Sequence, residues 1–109
     1  MKRLAVRWAA VAEQDLAEIV DYVGRDDLGA AGRILDTLEA KARTLETLAT
    51  RGRVVPELQR IQVREYRELL MGPYRLVYRV ESVRVVVLGV FDGRRNLEDI
   101  LLDRLLRKG

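Results

Sequence analysis

The chain has 109 residues, 49% apolar and 34% charged, which fits one soluble domain with a core of its own. It holds no Cys and no His, and this excludes disulfides, thiolate metal sites, a Cys nucleophile, the usual zinc ligand and the usual general base near neutral pH. No metal or cofactor is expected. No apolar run approaches membrane-spanning length, and Met1–Ala10 lacks the apolar core of a secretory leader, so the cytoplasm is the expected compartment.

In chain order, Leu4, Val6 and Trp8 alternate with Ala5 and Arg7, the pattern of a short half-buried strand. Ala12, Leu16, Ile19, Val20 and Val23 then fall on one helical face, with Glu13, Glu18 and Asp21 off it. Gly24 is a natural stop, and Asp26 or Asp27 can cap a second helix. In that helix Ala31, Ile34, Leu35, Leu38, Ala42, Leu45 and Leu48 repeat the period, which predicts a helical hairpin packed on a sheet. Thr50–Gln62, broken by Gly52 and Pro56, reads as a connection, with Glu57 as the carboxylate among several Arg.

Residues 66–95 read as three antiparallel strands. Gly72-Pro73 and Glu81-Ser82 are the turns, and Val83–Val90 is apolar enough to be covered on both faces at the centre of a sheet. In the middle strand Tyr74, Leu76, Tyr78 and Val80 point one way, and Arg75, Val77 and Arg79 the other. The first face is expected to be buried and the second to meet something anionic. Charge partitions the same way. Residues 51–95 hold ten Arg, no Lys and five acids, a net +5, while residues 1–50 carry −2 and residues 96–109 balance. The only Lys are Lys2, Lys41 and Lys108, all outside this Arg-rich stretch. Guanidinium forks suit carboxylate or phosphate, so the expected partner surface is the Arg-bearing sheet. Residues 96–109 form the last element, a C-terminal helix capped by Asn96, with Ile100, Leu101, Leu102, Leu105 and Leu106 on its apolar side and Arg104, Arg107 and Lys108 at its negative end.

The expected fold class is therefore α+β, in the order β-α-α-β-β-β-α, as one domain over residues 1–109. This order, together with Trp8, Ala12, Asp15-Leu16, Gly52-Arg53, Pro56-Glu57-Leu58, Tyr66-Arg67-Glu68-Leu69, Tyr74-Arg75-Leu76-Val77-Tyr78 and Gly93-Arg94-Arg95, resembles the RelE/ParE toxin superfamily. Its members are the toxic halves of type II toxin–antitoxin pairs. The resemblance covers nearly the whole chain up to about Asn96 and implies a cognate, ParD-like antitoxin with an extended, partly helical, acidic tail. Arg67, Arg75, Arg79, Arg94 and Arg95 are the residues expected to meet that tail or the target.

Two activities occur within the resemblance. RelE-like members cut messenger RNA on the ribosome, and ParE-like members inhibit DNA gyrase. For a nuclease the resemblance puts Glu57 at the position of a general base and Arg75 at that of a cation stabilising the developing phosphate charge. Nuclease members often carry His, Tyr or Lys near the end of the last strand, where this chain has Phe91, Asp92 and Gly93. Arg is a poor proton donor, and Tyr66, Tyr74 and Tyr78 sit at strand positions that suit packing. The ParE-like reading is favoured, with the mRNA interferase and a non-toxic, antitoxin-binding remnant as the alternatives.

Overall fold

The computed structural model describes residues 3–107. Strand β1 (Ala5–Trp8) leads into helices α1 (Ala10–Gly24) and α2 (Leu28–Arg43), with a 3₁₀ turn at Thr44–Glu46. There follow β2 (Arg53–Val54), α3 (Pro56–Gln59), β3 (Tyr66–Met71), β4 (Tyr74–Val80), β5 (Arg84–Asp92) and α4 (Glu98–Leu102), which widens into a π-type turn over Asp103–Arg107. Among the described residues the five strands form one sheet in the order β1-β5-β4-β3-β2. β1 runs parallel to β5 and every other pairing is antiparallel. The expected α+β class and helical hairpin hold. The expectations for Lys2, Lys108 and the Arg107 side chain lie outside the described residues.

Local chemistry sets the element ends. Asp27 accepts a hydrogen bond from the Ala30 amide at 2.9 Å, capping α2 as its side chain allows. Gly72 supplies φ 56° in the two-residue link from β3 to β4, a conformation that a Cβ disfavours. Asn96 accepts from the Glu98 amide at 3.2 Å at the entry to α4. Val77 pairs with Gly89 and Tyr78 with Val87, so Leu88 is one residue too many on β5. This bulge bends the strand and re-phases its side chains.

The sheet has a core on each face. On one, Leu16, Leu38 and Leu45 of the hairpin region pack with Leu69, Leu76, Tyr78, Val85 and Val87. On the other, Val55, Leu58, Leu97 and Leu101 cover Tyr66, Val77 and Phe91. This second core corrects the expectation of one open, anion-facing side. Val77 is fully buried beside the half-buried Arg75 and Arg79, because α3 and α4 roof that face.

Three smaller corrections follow. The connection Thr50–Gln62 contains β2 and α3. A two-residue strand is too short to show alternation, and Pro56 starts the helix at its first turn, where a missing N–H costs nothing. The middle strand of the sheet is β4, with β5 an inner strand beside it. Leu48, assigned to the α2 stripe, is half exposed beyond the 3₁₀ turn.

Candidate functional site

Half of the ten Arg in the Arg-rich segment are paired within it. Arg53, Arg75, Arg79, Arg84 and Arg94 are ion-paired with Glu57, Glu68, Glu81 and Asp92, all from the same stretch of chain. The net +5 already counts these acids, so the excess offered to a partner lies mainly on the other five, Arg51, Arg60, Arg64, Arg67 and Arg95, which have no ion pair among the described residues.

The densest part is a four-residue chain of charges. Register places Arg53 opposite Glu68 on β2 and β3, while Arg75 on β4 pairs with Leu70, two residues along from Glu68, and so shares its face. Arg75 Nε donates to Glu68 at 2.7 Å, and its two terminal nitrogens donate to the two Glu57 oxygens at 2.7 Å each. Arg53 Nε closes the other Glu68 oxygen at 2.6 Å. The Glu68 side chain has no exposure, Arg75 has 11% and Glu57 has 18%. This is the fork geometry in which Arg binds carboxylate most strongly. Arg75 holds the Glu57 carboxyl below the usual glutamate range, and the same pairing pushes the Arg75 guanidinium further up. Each of Glu57 and Arg75 thus has the other as its ligand.

The remaining expected residues are dispersed. Arg67 donates to the Gly52 carbonyl at 2.8 Å, tying β3 to the segment before β2. Arg79 pairs with Glu81 at 3.0 Å and lies over the Tyr66 ring at 5.9 Å. Arg94 forks onto Asp92 at 2.9 and 2.7 Å, which lowers the Asp92 carboxyl to about 2, yet the Arg94 side chain stays 72% exposed. Arg95 is exposed and has no ion pair among the described residues. The three strand tyrosines are buried. The Tyr78 hydroxyl accepts the Gly52 amide at 2.9 Å and burial pushes its pKa up, while the Tyr66 hydroxyl donates to the Leu105 carbonyl at 3.3 Å.

Arg94 and Arg95 stand at the rim of a groove of about 580 Å³ between α1, the last residues of β5 and α4. Its wall holds a contact that sequence reasoning missed. β1 ends opposite Val87, leaving the edge of β5 without a strand neighbour from Leu88 onward. Asp15 fills part of the gap. It accepts the Val90 amide at 3.1 Å and is held by both terminal nitrogens of Arg104 at 2.8 and 3.1 Å. Arg104 also donates to the Leu88 carbonyl at 3.3 Å and stacks on Phe91 at 5.0 Å. Its expected role at the negative end of the last helix is replaced by this clamp, because a sheet edge needs partners. Asp15 is among the residues that carry the family resemblance, but no local pattern points to this contact, since its partners lie 75 and 89 residues away.

Among the described residues no group of three or more acidic side chains is placed to hold a metal ion, and no helix is long and apolar enough to cross a membrane.

Comparison with solved structures gives the same architecture in toxin–antitoxin systems. The chromosomal ParDE system from P. aeruginosa matches with a TM-score of 0.69 at 19% identity, covering 83% of this chain and 96% of that one. The RelBE2 toxin–antitoxin complex from Mycobacterium tuberculosis matches with a TM-score of 0.62 at 23% identity, covering 84% and 93%. These likenesses are of fold, and they include both branches of the superfamily. A search of curated proteins finds no match. The family model for the ParE toxin of the type II toxin–antitoxin system parDE matches residues 6–97, most of the domain, and the chain belongs to that family.

Proposed function

We propose that this chain inhibits DNA gyrase in the cytoplasm and is held inactive by a ParD-like antitoxin. The observation that carries the choice of target is the closed Arg53–Glu68–Arg75–Glu57 network. Cleavage of RNA through its 2′-hydroxyl needs a base that can take a proton and a cation free to meet the developing charge. Glu57 has its basicity lowered by Arg75, and Arg75 spends all three donor nitrogens on Glu57 and Glu68. The tyrosines that could donate a proton are packed in the two cores. Nothing in this arrangement favours acid–base work, and a toxin acting by binding has no need of it.

Of the five Arg expected to meet a partner, Arg94 and Arg95 carry the proposal, because both are exposed, Arg94 even while paired with Asp92, whereas Arg67, Arg75 and Arg79 are half-buried and committed within the chain. Binding energy concentrates in a few Arg and aromatic anchors, and exposed Tyr22 lies along the same groove. Expression without antitoxin tests the reading. The expected result is a block to division with the DNA-damage response induced and bulk translation continuing early on. Prompt cleavage of ribosome-bound messenger RNA would favour the interferase instead, and growth without arrest would favour the non-toxic remnant.

A further inference from the structure

Charge that no acid answers collects along the β2 edge of the sheet. Residues 43–68 hold six Arg, no Lys and four acids. Three of those acids are committed: Glu46 to Arg3, and Glu57 and Glu68 to Arg53 and Arg75 in a network that is neutral as a unit. Arg43, Arg51, Arg60, Arg64 and Arg67 have no ion pair among the described residues, and the fourth acid, Glu65, is exposed near them. Five guanidiniums against one carboxylate leave the local field positive.

The fold gathers these cations from separate elements. Arg51 donates to the Thr44 hydroxyl at 3.1 Å, next to Arg43 at the end of α2. Arg67 donates to the carbonyl of Gly52, the neighbour of Arg51, at 2.8 Å. Burial pushes the Tyr78 hydroxyl pKa up, and the charges of Arg67 and Arg51 both pull against it, as they do when they stand at one corner. Arg60 closes α3, and the chain turns back at Gln62, φ 68°, where the Val63 amide donates to the Leu58 carbonyl at 2.9 Å. That turn returns Arg64 to the same short helix. All but Arg67 are exposed, and none of the five lines the groove at Arg94 and Arg95.

We propose that this edge binds the phosphate backbone of duplex DNA without reading its sequence, and that it grips the DNA held by gyrase while the groove at Arg94 and Arg95 engages the enzyme. Its placement on gyrase-held DNA rests on the gyrase reading above, whereas duplex binding itself does not. Exposed guanidiniums meet phosphates in a fork and release condensed counterions, which drives binding at no cost in packing. The cations come from a helix end, a loop and a four-residue helix, not from one helix that could enter a major groove, so they meet backbone and not base edges. Single-stranded RNA fits less well, because its bases need aromatic faces to stack on. The one aromatic residue among residues 43–68 is Tyr66, and it is buried.

Fluorescence anisotropy of the full chain tests this, with two short labelled duplexes of unrelated sequence, a single-stranded RNA and polyglutamate as probes, between about 50 and 200 mM salt. Contacts from the four exposed Arg predict that log affinity falls against log salt with a slope of about −3.6, equal for both duplexes, with RNA and polyglutamate bound more weakly. Arg60→Gln with Arg64→Gln should bring the slope to about −1.8 and weaken duplex binding on the order of tenfold at low salt. Arg25→Gln with Arg33→Gln, an equal loss of exposed charge on the hairpin, should leave the slope unchanged. A slope shallower than about −1, equal effects of the two double variants, or tighter binding of RNA or polyglutamate than of duplex would overturn the proposal. In a gyrase cleavage assay, Arg60→Gln with Arg64→Gln should raise the concentration of chain giving half-maximal linear DNA by about tenfold, and no shift would overturn the placement on gyrase-held DNA. Wild-type chain without effect on gyrase would overturn the gyrase reading. That failure is distinct, because the anisotropy is measured with no gyrase present and judges the surface alone.

Discussion

Replacing Arg75 by Met would remove three hydrogen bonds of 2.7 Å and most affect a carboxylate that has nowhere to go. Glu68 has no side-chain exposure and would keep only Arg53, itself 55% exposed. Glu57, with 18% exposure, can recover part of its loss from water. Removing one partner of a buried ion pair costs about 3–5 kcal/mol. A domain of this size holds roughly 5–16 kcal/mol in all, so Arg75→Met should consume a large share of it. At about 4 °C per kcal/mol, the thermal midpoint should fall by roughly 12–20 °C. Urea unfolding followed by far-UV circular dichroism gives the free-energy difference directly. Adding Glu68→Gln should return about 1–3 kcal/mol of the loss, because the amide removes the stranded charge. A midpoint shift under about 4 °C for Arg75→Met would refute the reasoning, since it would mean that water screens the network as it does a surface pair.

Gly52→Ala places a Cβ 2.6 Å from both the Glu68 carbonyl oxygen and the Tyr78 hydroxyl, and should cost about 1–3 kcal/mol by thermal melt. Because Glu57 has its pKa lowered in the folded state, its pairing contributes fully above about pH 4.3 and is lost as pH falls through the depressed value. Urea midpoints should show a shallower acid loss in Glu57→Gln than in wild type. That variant should also remain toxic in a growth assay, because in the gyrase reading Glu57 does no chemistry. Arg94→Ala with Arg95→Ala should abolish toxicity while leaving the melt within about 2 °C, the effect expected of exposed side chains with no packing role.

What was legible in the sequence was whatever repeats with a period. The α1 and α2 stripes, the Gly72-Pro73 turn and the alternation of Tyr74, Leu76 and Tyr78 are local signals, and each has its place in the fold. β2 escaped notice because pairing with β3 defines it, not any pattern within two residues. Alternation reports which side chains share a face, not what covers it, so the sequence alone leaves the Arg-bearing face open. Its cover comes from α3 and α4, including Leu58 and Leu101. A signal for the buried network is present in Glu68, which lies in phase with Tyr66 and Leu70 on β3, on the same face of the sheet as Arg75 of β4. An acid at such a position needs a cation, and two were within reach. The Asp15–Arg104 clamp had no such signal.

The central claim is that this chain acts by binding gyrase and not by cutting RNA, and purified components test it most directly. The chain is added to gyrase, ATP and plasmid, and in parallel to ribosomes programmed with messenger RNA, before detergent and protease treatment. The account predicts gyrase-dependent linear DNA with wild type and with Glu57→Gln, none with the Arg94→Ala, Arg95→Ala variant, and intact messenger RNA throughout. Cut messenger RNA that depends on Glu57, with gyrase unaffected, would contradict it.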